Sequence, residues 1–292
     1  MRHGPFPELI DEALRRFLAE DVGAGDVTTR ALVSPGQQGC ARFLAKSEGI
    51  VCGLDVAERI FELIDPHCRL SRRVDEGARF GAGTELMLIE GPFAALLMGE
   101  RTALNLLQRM SGIATTTAQF VAEVAGTRAQ IFDTRKTAPG LRWFDKRAVS
   151  AGGGHNHRFG LFDQVLIKEN HLAALTGRPG MRAIEEAIER ARAAVHQGVV
   201  VEIEVLDAKE AARAAGAGAD VILLDNFTLD ELREAVASVR GRRLKSAAIL
   251  EASGGITLEV VKDVAHTGVD RVSVGALTHS VRAKDISLEL SH

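Results

Sequence analysis

The stretch from Val199 to Asp225 reads VVVEIEVLDAKEAARAAGAGADVILLD. Two short aliphatic runs, Val199–Val205 and Val221–Leu224, flank an alanine-rich segment at helical spacing over 208–215. Strand, helix, strand is the grammar of a parallel sheet covered on both faces. Each run closes on a carboxylate, Glu204 in the first and Asp225 after the second. Glu202 lies two residues before Glu204 and therefore shares its strand face, deeper in the sheet, while Ile203 points the other way.

The same alternation extends in both directions. Strand-sized runs occur at Ala129–Phe132, Gln164–Ile167, Ala247–Leu250 and Arg271–Val274, with helical patterns at 181–196, 229–239 and 257–266. The spacings from Glu204 to Asp225, Asp225 to Glu251 and Glu251 to Ser273 are 21, 26 and 22 residues. Regular units favour an α/β barrel over a doubly wound sheet. The runs end on Arg135 and Lys136, Lys168, Glu204, Asp225, Glu251 and Ser253, and Ser273 and Gly275. C-terminal ends of barrel strands converge on one rim, which is where barrel active sites lie.

Before residue 128 the pattern is mixed. Leu9, Ile10, Ala13, Leu14, Phe17 and Leu18 mark a helix ended by Gly23 and Gly25, and Cys40–Lys46 alternates as a strand. Leu70–Leu88 gives two more short strands. A helix is expected from Pro92 through Gln108, with Leu96, Leu97, Leu104 and Leu107 as its apolar stripe. Arg101 flanks that stripe and needs a partner, for which the adjacent Glu100 is poorly placed. The chain of 292 residues, 46% apolar with a net charge of −3, can bury a core without disulfides and has no charge footprint for nucleic acid or an anionic membrane. Cys40, Cys52 and Cys68 lack metal or redox spacing, acidic residues occupy the N-terminus, and no apolar run reaches membrane length. A cytoplasmic protein is expected.

The rim divides by charge. Seven basic residues face two acidic ones from Arg135 to Lys168, and six acidic face two basic from Val201 to Asp225. Adjacent Arg135 and Lys136 can hold different anions, the first as a planar fork and the second as a point charge. Gly152-Gly-Gly-His-Asn-His-Arg158 is dense in donors. His155 and His157 also admit a zinc reading, and Lys168 a Schiff-base one. Glu204 and Asp225 suit a hard cation such as Mg²⁺ or ribose hydroxyls; a structural network with Lys168 and Lys136 is the alternative. Ser253-Gly254-Gly255, ahead of the helix starting near Thr257, and Ser273-Val274-Gly275, at the end of the last strand, resemble phosphate cradles, though a cap and tight turn explains either alone.

These residues resemble the quinolinate phosphoribosyltransferase family over almost the whole chain. The resemblance rests on Glu20–Thr29, Glu100-Arg-Thr-Ala-Leu-Asn105, Ser111–Thr115, Asp133–Arg142, Gly152–Arg158, Leu166–His171, Glu202–Glu204, Leu224–Asn226, Glu251–Gly255 and Ser273–Thr278. It implies an N-terminal open α/β sandwich (1–112, with tail 278–292 packing back on it) and an incomplete, seven-stranded-type α/β barrel (113–277). It also implies transfer of a phosphoribosyl group from phosphoribosyl pyrophosphate to quinolinate with decarboxylation. Arg135, His157, Arg158 and Lys168 would bind the two carboxylates, joined by Arg101 of a second subunit in a homodimer or larger assembly. Lys136, Glu204 and Asp225 would serve phosphoribosyl pyrophosphate and Mg²⁺, and Ser253–Gly255 with Ser273–Gly275 the 5′-phosphate. A molybdate-transport-associated branch and a non-catalytic metabolite binder remain alternatives. The intact Glu100–Asn105 and Asn156–Arg158 segments favour the quinolinate branch, and retention of Lys136, Glu204 and Asp225 disfavours the binder.

Overall fold

The structure is a computed structural model that describes residues 7–177, 183–241 and 248–291. Positions 181 and 182 of the expected helix, Ala247 of the expected strand, and the two chain ends (1–6 and His292) lie outside the described residues. The first elements are α1 (Pro7–Val22), α2 (Val27–Leu32), β1 (Gln38–Ala45), β2 (Gly49–Ile50), α3 (Leu54–Ile64), β3 (Arg69–Arg72), β4 (Arg79–Phe80), β5 (Glu85–Pro92) and α4 (Phe93–Glu123). Then follow β6 (Gln130–Phe132), α5 (Arg142–Ala151), β7 (Val165–Ile167), α6 (Glu169–Thr176), α7 (Ile184–Ala194), β8 (Val201–Val205), α8 (Ala208–Gly216) and β9 (Val221–Asp225). The chain closes with α9 (Leu229–Arg240), β10 (Ile249–Ser253), α10 (Leu258–His266), β11 (Arg271–Ser273), α11 (Ala276–His279) and β12 (Ile286–Ser291).

Contacts divide the described chain into two units. The first takes the described parts of Met1–Ala118, Thr137–Gly153 and Thr278–His292; the second takes those of Gln119–Lys136 and Gly154–Leu277. The first unit is an α/β sandwich around an antiparallel sheet of order β12-β1-β5-β3, beside the small β2-β4 pair. Alternation along β1 puts Ala41, Phe43 and Ala45 inside. Phe43 meets Phe61 of α3 edge-on at 6.1 Å between centroids, and Leu54, Ala57, Ile60 and Phe61 form the buried stripe of α3.

Helix α4 runs on to Glu123, well past the expected end at Gln108. Gly112 within it is there for proximity. A Cβ on it would stand 2.2 Å from the carbonyl oxygen of Arg282. Leu107, Met110, Ile113 and Ala114 carry the buried stripe straight through. Helix α5 has no counterpart among the helical patterns read from the sequence.

The second unit is a parallel sheet of order β6-β11-β10-β9-β8-β7. His155 adds a single parallel bridge to Phe132 on the free edge of β6, the rudiment of a seventh strand in an incomplete barrel. Helices α7 to α10 alternate with its strands. Val201, Ile203, Val205, Ile222, Leu224, Leu250, Ala252 and Val272 fill its core, each fully buried aliphatic side chain adding roughly 1.5–3 kcal/mol. Two charged residues interrupt that core at mid-strand, Glu202 in β8 and Glu251 in β10, both fully buried. No helix among the described residues is long and apolar enough to cross a membrane. The three cysteines are free thiols.

Candidate active site

The C-terminal strand ends of the second unit position the side chains expected at the rim. Arg135 and Lys136 follow β6, Lys168 follows β7, Glu204 lies near the end of β8, and Asp225 ends β9. Ser253 ends β10 and Ser273 ends β11.

On the basic side, buried Asp133 fastens the glycine-rich segment, accepting from the His157 main-chain N–H at 2.8 Å and donating its own to the His155 carbonyl at 3.0 Å. The His155 ring stacks on Phe132 at 5.3 Å, so its place in the fold is at the edge of the sheet. His157 turns inward. Its Nε2 lies 2.9 Å from Glu202 and 3.6 Å from Glu251, while its Nδ1 accepts from the Arg158 main-chain N–H at 2.8 Å. Both ring nitrogens meet protein groups. Arg158 is braced by a bond from its guanidinium to the Gln164 carbonyl at 3.1 Å. Partial burial, and then the neighbouring charge of Arg135, push its pKa down. Arg135 has a buried Nε without a hydrogen-bond partner. Glu202 and Asp163 offset part of the Arg158 charge, but burial and Arg135 outweigh them, and two guanidinium groups so placed favour an anion.

The expected charge halves do not survive intact. Arg142, Lys146 and Arg147 lie on α5, a helix of the first unit, where Arg147 pairs with Asp55 at 2.6 Å. Asp207 caps α8, and Asp220 accepts from the Val201 N–H at the opposite end of the strands. Helix caps and strand-start clamps contribute charge to a sequence count without contributing it to a rim. Glu204 and Asp225 remain.

Lys168 Nζ meets Glu204 at 2.9 Å, and Asn226 donates to Asp225 at 2.8 Å. The Lys168–Glu204 contact belongs to the structural-network alternative, and a ligand at this end must share or displace it. Asn226 has φ 60°, the left-handed region, with its N–H on the Ser253 carbonyl. Gly254, at φ 92°, abuts it so closely that a Cβ would lie 2.1 Å from Asn226 Oδ1. Gly255 also has positive φ, and a Cβ there would meet nothing within 4 Å. At β11 the cradle is narrower than expected. The Ser273 hydroxyl donates to Glu251, and the Val274 N–H donates to the Phe132 carbonyl at 2.9 Å. Of the Ser273–Gly275 segment, neither that hydroxyl nor that amide points to a ligand. Edge pairing with β6 continues one residue past the strand, and the sequence carries no sign of this.

Beneath the rim lies a polar cluster that the sequence only partly discloses. Gln164 donates to Glu202 Oε2, and Arg271 stands 3.7 Å from Glu251 and over the Phe132 ring at 4.5 Å. His157, Glu202 and Glu251 are the one trio of metal-capable side chains found together among the described residues, their ligand atoms within 4.8 Å of one another. Glu204 and Asp225 are not part of it. The trio reads as a proton-sharing network: the His157 N–H and the Ser273 hydroxyl each meet one carboxylate oxygen, while Glu202 Oε1 and Glu251 Oε2 have no hydrogen-bond partner and Arg271 stands near the latter. Burial, then the charge of Glu202, push Glu251 up from 4.5 to about 7. The folded state thus holds a proton that the unfolded chain releases, and the stability this confers is lost as pH rises from 4.5 through about 7. Glu251→Gln, neutral at every pH, should lack this loss. Melting scans from pH 5 to 8 should show wild type falling relative to the variant, and parallel curves would contradict it.

Arg101 is on α4 in the first unit. Its side chain is 59% exposed and 3.8 Å from Glu100. The expectation of a half-buried charge without a local partner is therefore corrected: Arg101 lies on the outer side of the apolar stripe, beside the glutamate judged badly placed.

Comparison with known proteins matches this architecture along the chain. The quinolinate phosphoribosyl transferase N-terminal domain model matches residues 26–111 and its C-terminal domain model residues 113–289. A probable nicotinate-nucleotide pyrophosphorylase [carboxylating] of Bacillus subtilis is 42% identical over 283 residues, covering 97% of this chain and 93% of that protein. A quinolinate phosphoribosyltransferase [decarboxylating] of Nicotiana glauca is 40% identical, covering 96% and 82%. Among solved structures, NadC from Streptococcus pyogenes superposes with a TM-score of 0.89 at 37% identity, covering 98% and 97%. The nicotinate-nucleotide pyrophosphorylase of Francisella tularensis gives 0.87 at 34%, covering 97% and 96%. With both domain models matched in order and relatives this similar over nearly their full length, the chain belongs to the quinolinate phosphoribosyltransferase family.

Proposed function

We infer that this chain transfers the phosphoribosyl group of phosphoribosyl pyrophosphate to quinolinate, giving nicotinate mononucleotide, pyrophosphate and carbon dioxide for NAD biosynthesis. The observation that carries this reading is the Arg135–Arg158 pair, two guanidinium groups at one strand-end rim with a buried Arg135 Nε lacking a partner. A pyridine dicarboxylate brings the charge such a pair accepts, and bidentate geometry fixes the ring plane. Lys168 adds a further cation, and Arg101 of a second subunit completes the set in a homodimer. Lys136, Glu204 and Asp225 serve phosphoribosyl pyrophosphate; the Ser253–Gly255 turn receives the 5′-phosphate, beside Ser273–Gly275.

The ring nitrogen attacks C1 of ribose with its own lone pair, and the C1–oxygen bond breaks toward pyrophosphate. No activating base is needed. The alkylated ring is cationic and accepts the electron pair left at C2 as carbon dioxide departs, after which a proton takes its place. Glu204 and Asp225 offer oxygen-only donors, which fit Mg²⁺. When bound, such an ion supplies charge neutralisation for the leaving pyrophosphate. The site's protein part is to hold the nitrogen and C1 in line and keep the departing carboxylate from solvent. We place the protein in the cytoplasm.

Mass detection of nicotinate mononucleotide from quinolinate, phosphoribosyl pyrophosphate and Mg²⁺ tests the reading. The expected result is one pyrophosphate released per nucleotide formed; no nucleotide from folded protein overturns it.

A further inference from the structure

Arg158 is fastened at two points, and both fastenings lead to the same buried carboxylate. Its main-chain N–H is held by His157 Nδ1 at 2.8 Å, and its guanidinium by the Gln164 carbonyl at 3.1 Å. The other nitrogen of His157 lies on Glu202 Oε2 at 2.9 Å, and the Gln164 side-chain amide donates to that same oxygen. Glu202 sits between Val201 and Ile203 in the middle of β8, fully buried, and its second oxygen has no hydrogen-bond partner. A carboxyl group there weakens the core, since an apolar residue of similar size would pack without desolvation. Its presence is explained by what it holds. Glu251, 3.6 Å from His157 Nε2 on a neighbouring part of the barrel, reinforces one ring orientation. A flipped ring would turn an acceptor nitrogen away from the Arg158 amide.

We propose that Glu202 is a positioning residue for the substrate dicarboxylate: by fixing His157 and Gln164 it sets the direction in which Arg158 presents its guanidinium fork. His157 on this account acts from behind the site. The proposal rests on the reading that Arg158 receives a quinolinate carboxylate. It assigns a function to the part of the buried cluster that the transfer chemistry leaves unused.

The test is a double-mutant cycle between Glu202→Gln and Arg158→Ala, read as quinolinate Kd by calorimetry and as separate KM values for the two substrates. Glu202→Gln keeps the shape and one acceptor oxygen but removes the charge that holds two donors at once. Quinolinate KM should rise roughly tenfold, as expected when charge-assisted hydrogen bonds are weakened. KM for phosphoribosyl pyrophosphate should stay within about twofold, because a brace on Arg158 does not reach that substrate. In the Arg158→Ala background the same substitution should add nothing further to the loss of quinolinate affinity. Additive losses, or a folded Glu202→Gln protein with wild-type quinolinate KM, overturn the proposal. A matching rise in both KM values does so as well, since it marks general loosening of the barrel. If Glu202→Gln does not fold, Gln164→Ala replaces it in the cycle. It removes one donor to Glu202 yet keeps the residue 164 carbonyl for Arg158, and the same criteria apply. Wild type is assayed alongside: inactivity toward quinolinate would overturn the functional reading, whereas an active wild type with an additive cycle overturns only the role of Glu202.

Discussion

Arg158→Ala is expected to raise KM for quinolinate by roughly 30- to 1,000-fold, as removal of one partner from a desolvated charge pair costs about 2–4 kcal/mol. Arg158 is half-buried, held at its main chain and its guanidinium, and crowded by the like charge of Arg135. Glu202 and Asp163 offset these costs only in part, and an arriving anion offsets the rest. Arg158→Lys should recover little, because a point charge cannot reproduce the planar fork. Affinity for phosphoribosyl pyrophosphate should hardly change. Calorimetry with each substrate separately measures this. A loss below about threefold for quinolinate would place the carboxylates elsewhere on the rim.

The second large effect concerns Arg101. Exposed, with a 3.8 Å surface contact to Glu100, it contributes little to the stability of its own chain. Arg101→Ala should nevertheless abolish turnover if the residue completes the site of a second subunit. Lys136→Ala should abolish it too, from within the barrel. Mixing the two inactive proteins then distinguishes sharing from an effect confined to one chain. Random reassortment makes about half the dimers mixed, and each of these has one site with both residues intact. Activity should approach roughly a quarter of wild type with independent sites. A mixture shown by native mass spectrometry to have exchanged subunits, yet still inactive, would mean that Arg101 acts within its own chain.

The barrel unit was readable because two periods agree. Apolar runs of strand length alternate with helical stripes, and the first residues able to do chemistry fall just past each run. Glu204, Asp225 and Lys168 therefore stand at or just past the strand ends, where the apolar runs stop. Helix α5 was not readable, since its Trp143-Phe-Asp-Lys-Arg147 segment follows a Pro139-Gly140 turn and carries too few apolar residues to declare a stripe. Helix α4 was expected to end at Gln108, but it continues through Gly112, which lies close to a carbonyl 170 residues away. Arg101 shows the limit of helical spacing: one position of rotation separates a half-buried side chain from an exposed one. The cluster under the rim was half legible. A glutamate inside a buried strand is a visible signal at Glu202, but Gln164 and Arg271 join it only through strand register.

The central claim, that the rim is built for two carboxylates on one pyridine ring, is tested most directly by competing quinolinate against nicotinate in the same transfer assay. Nicotinate lacks the carboxylate that is lost as carbon dioxide and keeps the ring nitrogen that attacks ribose. An unmet cationic partner in the half-buried rim should lower kcat/KM for nicotinate by roughly 30- to 1,000-fold relative to quinolinate. Comparable kcat/KM values for the two acids would contradict the account.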